Sequence, residues 1–318
     1  MFGKTPIKKP QAIGFLLIPE FPMLAFTTSI EPLRAANRMS GEKLYTWHIY
    51  SLDGEAVKAS NGVEITPDYA LSQAKDIDAI FVCAGLRTQN YTDNKMNRYL
   101  RTLARGGVAV GAVSTGTIIL ADAGLLEGYR CTLHWEYREG FEELFPDHNL
   151  TSRTYEIDRN RYTCSGGTAP LDMMIHSIAL DHSSALAGKV ADQILYGLDH
   201  TRQERQRSPL KARINITNTK ILAAIRYMES HTETPVPMAK LAKIVSLSLR
   251  QFERLFRRHM QTTPAKYYLE LRLNRASHLV KQTKLTLLEI AVSTGFNSPS
   301  HFSRVYARQF GHAPSMDR

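Results

Sequence analysis

Apolar and polar positions follow two rhythms along this chain. In the first part, short apolar runs alternate with longer stretches whose apolar residues recur every three or four positions. Residues 12–18 form an unbroken apolar run, short enough to predict a buried strand. Residues 23–38 carry helical spacing, with Arg34 and Arg38 one turn apart near the end and Glu31 placed to pair with Arg34. Residues 46–52 alternate, setting Trp47 and Ile49 against His48 and Tyr50, and 58–65 contain the hairpin signal Ser60-Asn61-Gly62. Two further buried strands are predicted at 77–83 and 108–113, with a helix over 96–105 between them and helices at 117–123, 171–180 and 185–196 beyond. Strands separated by helices predict an α/β fold with a parallel sheet. Ligands of such sheets bind beyond the carboxyl ends of the strands.

From Thr217 onward the rhythm is almost wholly helical, and the chain repeats itself. Leu241-Ala242 recurs as Ile290-Ala291, Phe252 as Phe302, Arg254 as Arg304, Phe256 as Tyr306, Met260 as Phe310 and Pro264 as Pro314. Each unit reads as a short helix, a turn and a longer helix: 238–245 then 248–260, and 287–294 then 299–310. Ser298 before Pro299 is an N-cap followed by proline at the first helical position. The predicted organisation is an α/β domain over 1–200, a polar linker over 201–216 that includes Arg202, Arg205, Arg207 and Pro209, and an all-α domain with two helix-turn-helix units over 217–318.

Composition narrows the class. Of 318 residues 43% are hydrophobic and 22% charged, which excludes wholesale disorder. The three cysteines, Cys83, Cys131 and Cys164, are odd in number and widely spaced. They exclude a disulfide scaffold and a Cys-rich zinc module, and favour a reducing cytoplasm. Neither a metal nor another cofactor is expected. The basic start and the apolar run 12–18 resemble a secretory leader, but Pro19-Glu20 interrupts without a small-residue cleavage site, so a strand is preferred. Ser114, Thr115, Thr117 and Asp122 break the apolar region 107–126, which falls short of the about 20 apolar residues that span a membrane.

Charge is unevenly placed. The net +10 resolves into +13 over residues 206–318, with 19 Lys and Arg against 6 Asp and Glu, and −3 over the first 205. A basic half fits a polyanion partner, though a solvated basic surface would show the same count. The repeat decides for double-stranded DNA. In the first unit Leu249, Phe252, Leu255 and Phe256 form a buried stripe, leaving Arg250, Gln251, Arg254 and Arg257 largely off it. In the second, Phe302, Val305, Tyr306 and Phe310 are buried, leaving Ser300, His301, Arg304 and Arg308. A second helix of this kind enters the major groove, where Arg pairs with guanine and Gln with adenine.

Candidate chemistry in the α/β half lies at three strand ends: residues 19–22, 84–86 and 113–116. The last, Val113-Ser114-Thr115-Gly116, is a strand-to-helix turn that would expose Ser114 and aim backbone amides at a ligand. His134-Trp135 follows as a possible base beside a large aromatic. Ser114 is open to three readings: a nucleophile, a helix cap together with Thr115, or part of a non-catalytic pocket.

The segments GAVSTGTIILADAGLLEGYRCTLHW and YTCSGGTAPLDMMIHSI resemble the PfpI-type domain of the class I glutamine amidotransferase fold. More narrowly they resemble the GlxA-type regulators, in which that domain is fused to an AraC-type DNA-binding domain. The resemblance implies a catalytic set of elbow Cys, nearby His and an acidic residue after the first strand. Here the elbow position is Ser114, the histidine position is His134 and the acidic position falls near Ala25. Residues 31–63 resemble the subgroup that responds to betaine, carnitine, sarcosine or arginine. That implies a zwitterionic or quaternary-ammonium effector, with its carboxylate on the amides of Gly85 and Thr115 and its cation near Trp135 or Phe21. Phe21, Gly85, Ser114, Thr115, His134 and Trp135 are therefore the expected ligand site, with Phe21 and Trp135 open to a plain core role.

The segment IAVSTGFNSPSHFSRVYARQFGHAPSMDR resembles the defining part of the AraC/XylS family. Carried over by position, the base-facing residues are Arg250, Glu253 and Arg254, then Pro299, Ser300, His301 and Arg304, while Gln251 and Arg257 share the exposed face. Arg254 and Arg304 could instead bond phosphate or a glutamate within the domain. The resemblance implies a cytoplasmic transcription activator that meets RNA polymerase and forms a homodimer through the α/β domain. Two other readings stay open: a hydrolase or amidase using Ser114 and His134, or an α/β domain that is only a dimerisation scaffold.

Overall fold

A computed structural model describes residues 10–91, 93–196 and 218–318. They fall into two compact units, one on either side of the stretch 197–217. The expected linker over 201–216, with its arginines, lies outside the described residues.

In the first unit the strands are β1 (Gln11–Leu17), β2 (Tyr45–Ser51), β3 (Val57–Lys58), β4 (Glu64–Ile65), β5 (Tyr69–Ala70), β6 (Ala79–Ala84), β7 (Ala109–Ser114), β8 (Arg130–Cys131), β9 (Asn149–Leu150), β10 (Tyr155–Asp158) and β11 (Arg161–Cys164). The helices are α1 (Met23–Ser40), α2 (Asn94–Arg105), α3 (Gly116–Asp122), α4 (Arg138–Leu144), α5 (Ala169–Asp181) and α6 (Ser184–Gln193). Seven strands form the main sheet in the order β10-β11-β7-β6-β1-β2-β5. Every neighbouring pair is parallel except β10 with β11.

The period of two in each central strand divides the core. Ile13, Phe15 and Leu17 of β1, with Ala79, Phe81 and Cys83 of β6, pack toward α1, α5 and α6. Leu16 of β1, with Ile80, Val82 and Ala84 of β6, packs on the other face with α2 and α3. Burial on both faces is why these strands read as continuous apolar runs rather than alternating ones. The predicted hairpin forms between β3 and β4, with Val57 opposite Ile65. The predicted Glu31–Arg34 pair on α1 is also present, at 2.7 Å.

The second unit contains α7 (Thr219–Ser230), α8 (Met238–Ile244), α9 (Leu249–Met260), α10 (Pro264–Gln282), α11 (Leu287–Ser293) and α12 (Pro299–Phe310). Side-chain caps set the helix starts. Ser248 accepts the Gln251 amide before α9, Thr286 accepts Glu289 before α11, and Ser298 accepts His301 before α12, as the Ser298-Pro299 signal predicts. Two apolar cores result. One holds Phe252, Phe256 and Tyr268, and the other holds Phe302, Tyr306 and Leu279. Helix α10 contributes to both, so the two helix-turn-helix units share one rigid strut. Arg272 on that strut donates to the carbonyls of Thr294 (2.8 Å) and Gly295 (2.6 Å) and stacks 4.2 Å over Phe296.

The C-terminal turn is tied down at Asp317, which accepts from the Tyr306 hydroxyl and lies 3.1 Å from His312 and 3.6 Å from Lys281. Burial pushes this carboxyl upward, but the bonds from Tyr306 and His312 and the charge of Lys281 outweigh it, leaving it below its ordinary value. A depressed carboxylate stabilises the fold above its unfolded pKa and loses that contribution as pH falls through the folded value. Asp317→Asn should cost about 1–2 kcal/mol at pH 7 and flatten the loss of stability below about pH 4. Urea unfolding of the full chain at both pH values checks this, and an unchanged acid limb would contradict the assignment.

Candidate functional site

Strand β7 enters a sharp turn at Ser114, whose φ of 61° lies in the left-handed region. Helix α3 follows at Gly116, where an added Cβ would lie 2.1 Å from the Val82 carbonyl oxygen of β6. Only glycine lets the helix lie that close to the neighbouring strand. The turn is the predicted elbow, with Thr115 turned inward. The fully buried Thr115 bonds the Gly85 carbonyl at 2.7 Å and the Thr88 hydroxyl at 2.6 Å. Its backbone N–H donates to Ala84 at 3.3 Å. Gly85 in turn lies so close to Glu20 that a Cβ would sit 2.2 Å from the Glu20 carbonyl oxygen.

Several expectations are corrected by this geometry. Neither Ser114 nor Thr115 caps α3 with its side chain, because the Thr115 hydroxyl is turned to the loop after β6. The anion site expected on Gly85 and Thr115 is not open at Thr115, whose amide already has the Ala84 acceptor. Phe21 is 0% exposed and packs edge-on against Phe26 at 5.6 Å, so it is core and cannot face a ligand cation. Ala25 is likewise buried, and the carboxylate after β1 is Glu20, held by Arg87 at 3.0 Å.

Ser114 and His134 are not hydrogen-bonded to each other. His134 starts the short turn Trp135–Tyr137, and its Nδ1 accepts the Glu136 amide at 3.4 Å. Burial pulls its imidazole below the ordinary value against a weaker opposite pull from Glu136, so the ring is neutral at neutral pH. The cysteines supply no alternative nucleophile. All three are buried, and burial pushes Cys131 and Cys164 up to about 12 and Cys83 well up also. Among the described residues no cluster of His, Cys, Asp or Glu could hold a metal, and no helix is long and apolar enough to cross a membrane.

His134 and Trp135 do meet, on a cleft of 290 Å³. Its other walls are the turn 165–169 that enters α5, then Thr154, Asp172 in the first turn of α5, and Tyr196. Trp135 is 37% exposed there. The Tyr196 hydroxyl donates to Asp172 at 3.1 Å. Asp172 and Tyr196 are among the cleft residues that the sequence pattern does not place. The signal at hand was Gly166-Gly167 before a helix with an acidic first turn.

On the basic unit, α9 buries Phe252 and Phe256 with Leu255 half-buried, but Leu249, expected in that stripe, is 42% exposed; α12 buries Phe302 and Tyr306 with Val305 and Phe310 half-buried. Arg250, Gln251, Arg254 and Arg257 are exposed and Glu253 is half-buried; on α12, Pro299, Ser300, His301 and Arg304 are exposed. Neither Arg254 nor Arg304 has a glutamate partner among the described residues. Gln251 differs from expectation: its Oε1 accepts the Ser248 amide at 3.0 Å, closing the capping box. Bidentate pairing with adenine needs that oxygen, so Gln251 serves the helix start in this arrangement. The Ser300 hydroxyl pairs with Ser298 at 2.8 Å, and His301 meets Phe296 edge-on at 5.9 Å.

A parallel-sheet unit with a strand-to-helix elbow, joined to two helix-turn-helix units on one strut, is the architecture of a DNA-binding transcription regulator. The DJ-1/PfpI family profile matches residues 15–180, and a helix-turn-helix domain profile matches 241–318. The HTH-type transcriptional regulator GbdR of Pseudomonas aeruginosa is 42% identical over 311 residues, 98% of this chain and 85% of that one. CdhR of the same species, also an HTH-type transcriptional regulator, is 42% identical over 308 residues, 97% of this chain and 91% of that one. The crystal structure of an AraC family transcriptional regulator from Pseudomonas putida superposes with a TM-score of 0.53 at 28% identity, covering 58% of this chain and all of that one. The chain belongs to the DJ-1/PfpI family and, within it, to the GlxA-type transcriptional regulators with an AraC-type DNA-binding domain.

Gly116→Ala should destabilise the α/β unit by about 1–3 kcal/mol or more, because a Cβ there meets strand backbone that cannot give way. Thermal unfolding of the full chain measures this. A loss under about 0.5 kcal/mol would mean that the elbow does not depend on this approach.

Proposed function

We propose that the chain is a transcription activator controlled by a small nitrogenous metabolite (a betaine, carnitine, sarcosine or arginine) held unchanged in the cleft beside Trp135. The observation that carries this reading is the half-exposed indole of Trp135 on a cleft at the carboxyl edge of the sheet. A cation over such a ring gains about 0.5–2 kcal/mol, more as water is excluded. The first turn of α5, at the positive end of its helix, suits the effector carboxylate. Catalysis is not part of the reading: Ser114 lacks a hydrogen-bonded base, and its hydroxyl is a weak nucleophile without one.

In this reading Arg250, Arg254, Ser300, His301 and Arg304 face base edges or phosphate in adjacent major grooves, Arg257 contacts phosphate and Glu253 lies at the rim. The other partners are RNA polymerase and a second copy of the chain bound through the α/β unit. The compartment is the cytoplasm, which the three free buried thiols suit. The domain boundary is placed in the linker over 201–216. Effector control requires tighter binding to one arrangement than to another, and a 100-fold difference corresponds to about 2.7 kcal/mol.

A thermal-shift panel on the full chain with glycine betaine, carnitine, sarcosine and arginine tests the sensor. At least one should raise the midpoint, Trp135→Ala should abolish that shift, and Ser114→Ala should keep both shift and activation. No shift with any of the four would overturn the effector reading. On the DNA side, Arg254→Ala and Arg304→Ala should each weaken binding to a selected duplex by about 1–3 kcal/mol. Unchanged affinity in both would remove these helices from the interface.

A further inference from the structure

We propose that Leu249, the first residue of α9, reads a thymine in the major groove by packing against its C5-methyl group. The inference rests on the reading of α9 as a DNA-facing helix and goes beyond it by naming a base-specific contact that uses neither charge nor a hydrogen bond.

The repeat points to the position. Leu249 and Pro299 each stand directly after the serine that caps their helix, Ser248 before α9 and Ser298 before α12. At the offset that relates Phe252 to Phe302, the two are equivalent. Both are apolar and both are exposed. Along α9, Leu249 continues the line of Phe252 and Phe256 toward the amino end, but the core stops short of it: the two rings are fully buried and Leu249 is not. The apolar stripe therefore emerges at the end that a recognition helix presents to base edges.

The start of α9 is held from several sides. Ser248 accepts the Gln251 amide, and the Gln251 side chain accepts the Ser248 amide at 3.0 Å. Lys220 of α7 donates to the Ser246 carbonyl at 3.0 Å and fastens the turn before the cap. The capping box also withdraws the Gln251 oxygen from base reading, which leaves Leu249 and Arg250 as the exposed side chains of the helix start that can approach bases.

The chemistry of the surface then selects the occupant. Arg250, Arg254 and Arg257 are exposed on the same helix, so Leu249 sits in basic surroundings that suit a polyanion rather than an apolar protein face. An isobutyl group can neither donate nor accept, and set against a base-edge donor or acceptor it would leave that group unpaired. The one apolar group that base edges present in the major groove is the thymine C5-methyl. Packing Leu249 on this methyl removes both from water, while Arg250 beside it keeps its guanidinium for guanine or phosphate.

The test uses the full chain and the duplex that it selects most strongly from a random library, with binding followed by fluorescence anisotropy. Each thymine of the selected elements is replaced in turn by deoxyuridine, which lacks only the C5-methyl. At least one replacement should weaken binding about fourfold, as the burial of one methyl group predicts. Leu249→Ala should abolish the sensitivity at one such position, and Leu249→Met, which keeps the apolar reach, should retain part of it. Arg254→Ala should weaken binding to the thymine and deoxyuridine duplexes alike and leave their ratio unchanged, which separates the methyl contact from a general loss of affinity. A selected duplex with no methyl-sensitive thymine, or sensitivity unchanged at every position in Leu249→Ala, would overturn this inference and leave the DNA reading of α9 standing. Selection without sequence enrichment would overturn both. Matched unfolding midpoints confirm that each variant is folded.

Discussion

The carboxyl edge of the sheet depends on the contact between α3 and β6 at Gly116. Because no side chain stands there, α3 can begin 2.1 Å, measured from an imagined Cβ, from the Val82 carbonyl. That approach forces the left-handed bend at Ser114 and turns Thr115 inward. Thr115 and Thr88 then both bond the Gly85 carbonyl, and Gly85 in turn abuts Glu20. Buried hydrogen bonds join the ends of β6 and β7, and close packing joins them to the end of β1. Thr115 and Thr88, beside the elbow, are thereby committed to holding these loops. The open volume lies to one side, over the start of α5, where Trp135 and Asp172 face it.

A comparable constraint organises the DNA-binding unit. Each helix-turn-helix core is small, and neither Phe252 with Phe256 nor Phe302 with Tyr306 would bury enough apolar surface alone. Helix α10 runs through both cores, and Arg272 fastens the turn of the second unit to it by two carbonyl bonds and the Phe296 face. The spacing of α9 and α12 is thereby set by a single strut. Phosphate contacts alone carry no sequence information, so the proposed reading of bases rests on this fixed spacing together with the exposed arginines.

Much of this was legible in the chain. Strands buried on both faces announce themselves as unbroken apolar runs, and the repeated Phe-x-Arg pattern exposes the duplicated helix-turn-helix before any coordinate is known. What was not legible depended on tertiary direction. Phe21 looks available beside a strand end, yet Phe26 one turn into α1 covers it. Thr115 has the composition of a cap, but a nearby carbonyl of β6's loop takes its hydroxyl. Gln251 has the chemistry to read adenine, but its own helix start needs that oxygen. Tyr196 and Asp172 are 24 positions apart with no shared periodicity, so only folding brings them together.

The central claim is that one rigid unit presents two recognition helices to DNA under the control of the α/β half. Selection of bound sequences from a random duplex library by the full chain tests it most directly. The account predicts enrichment of two dissimilar elements whose centres lie about one helical turn apart, near 34 Å. A single enriched element, or binding without sequence enrichment, would contradict it.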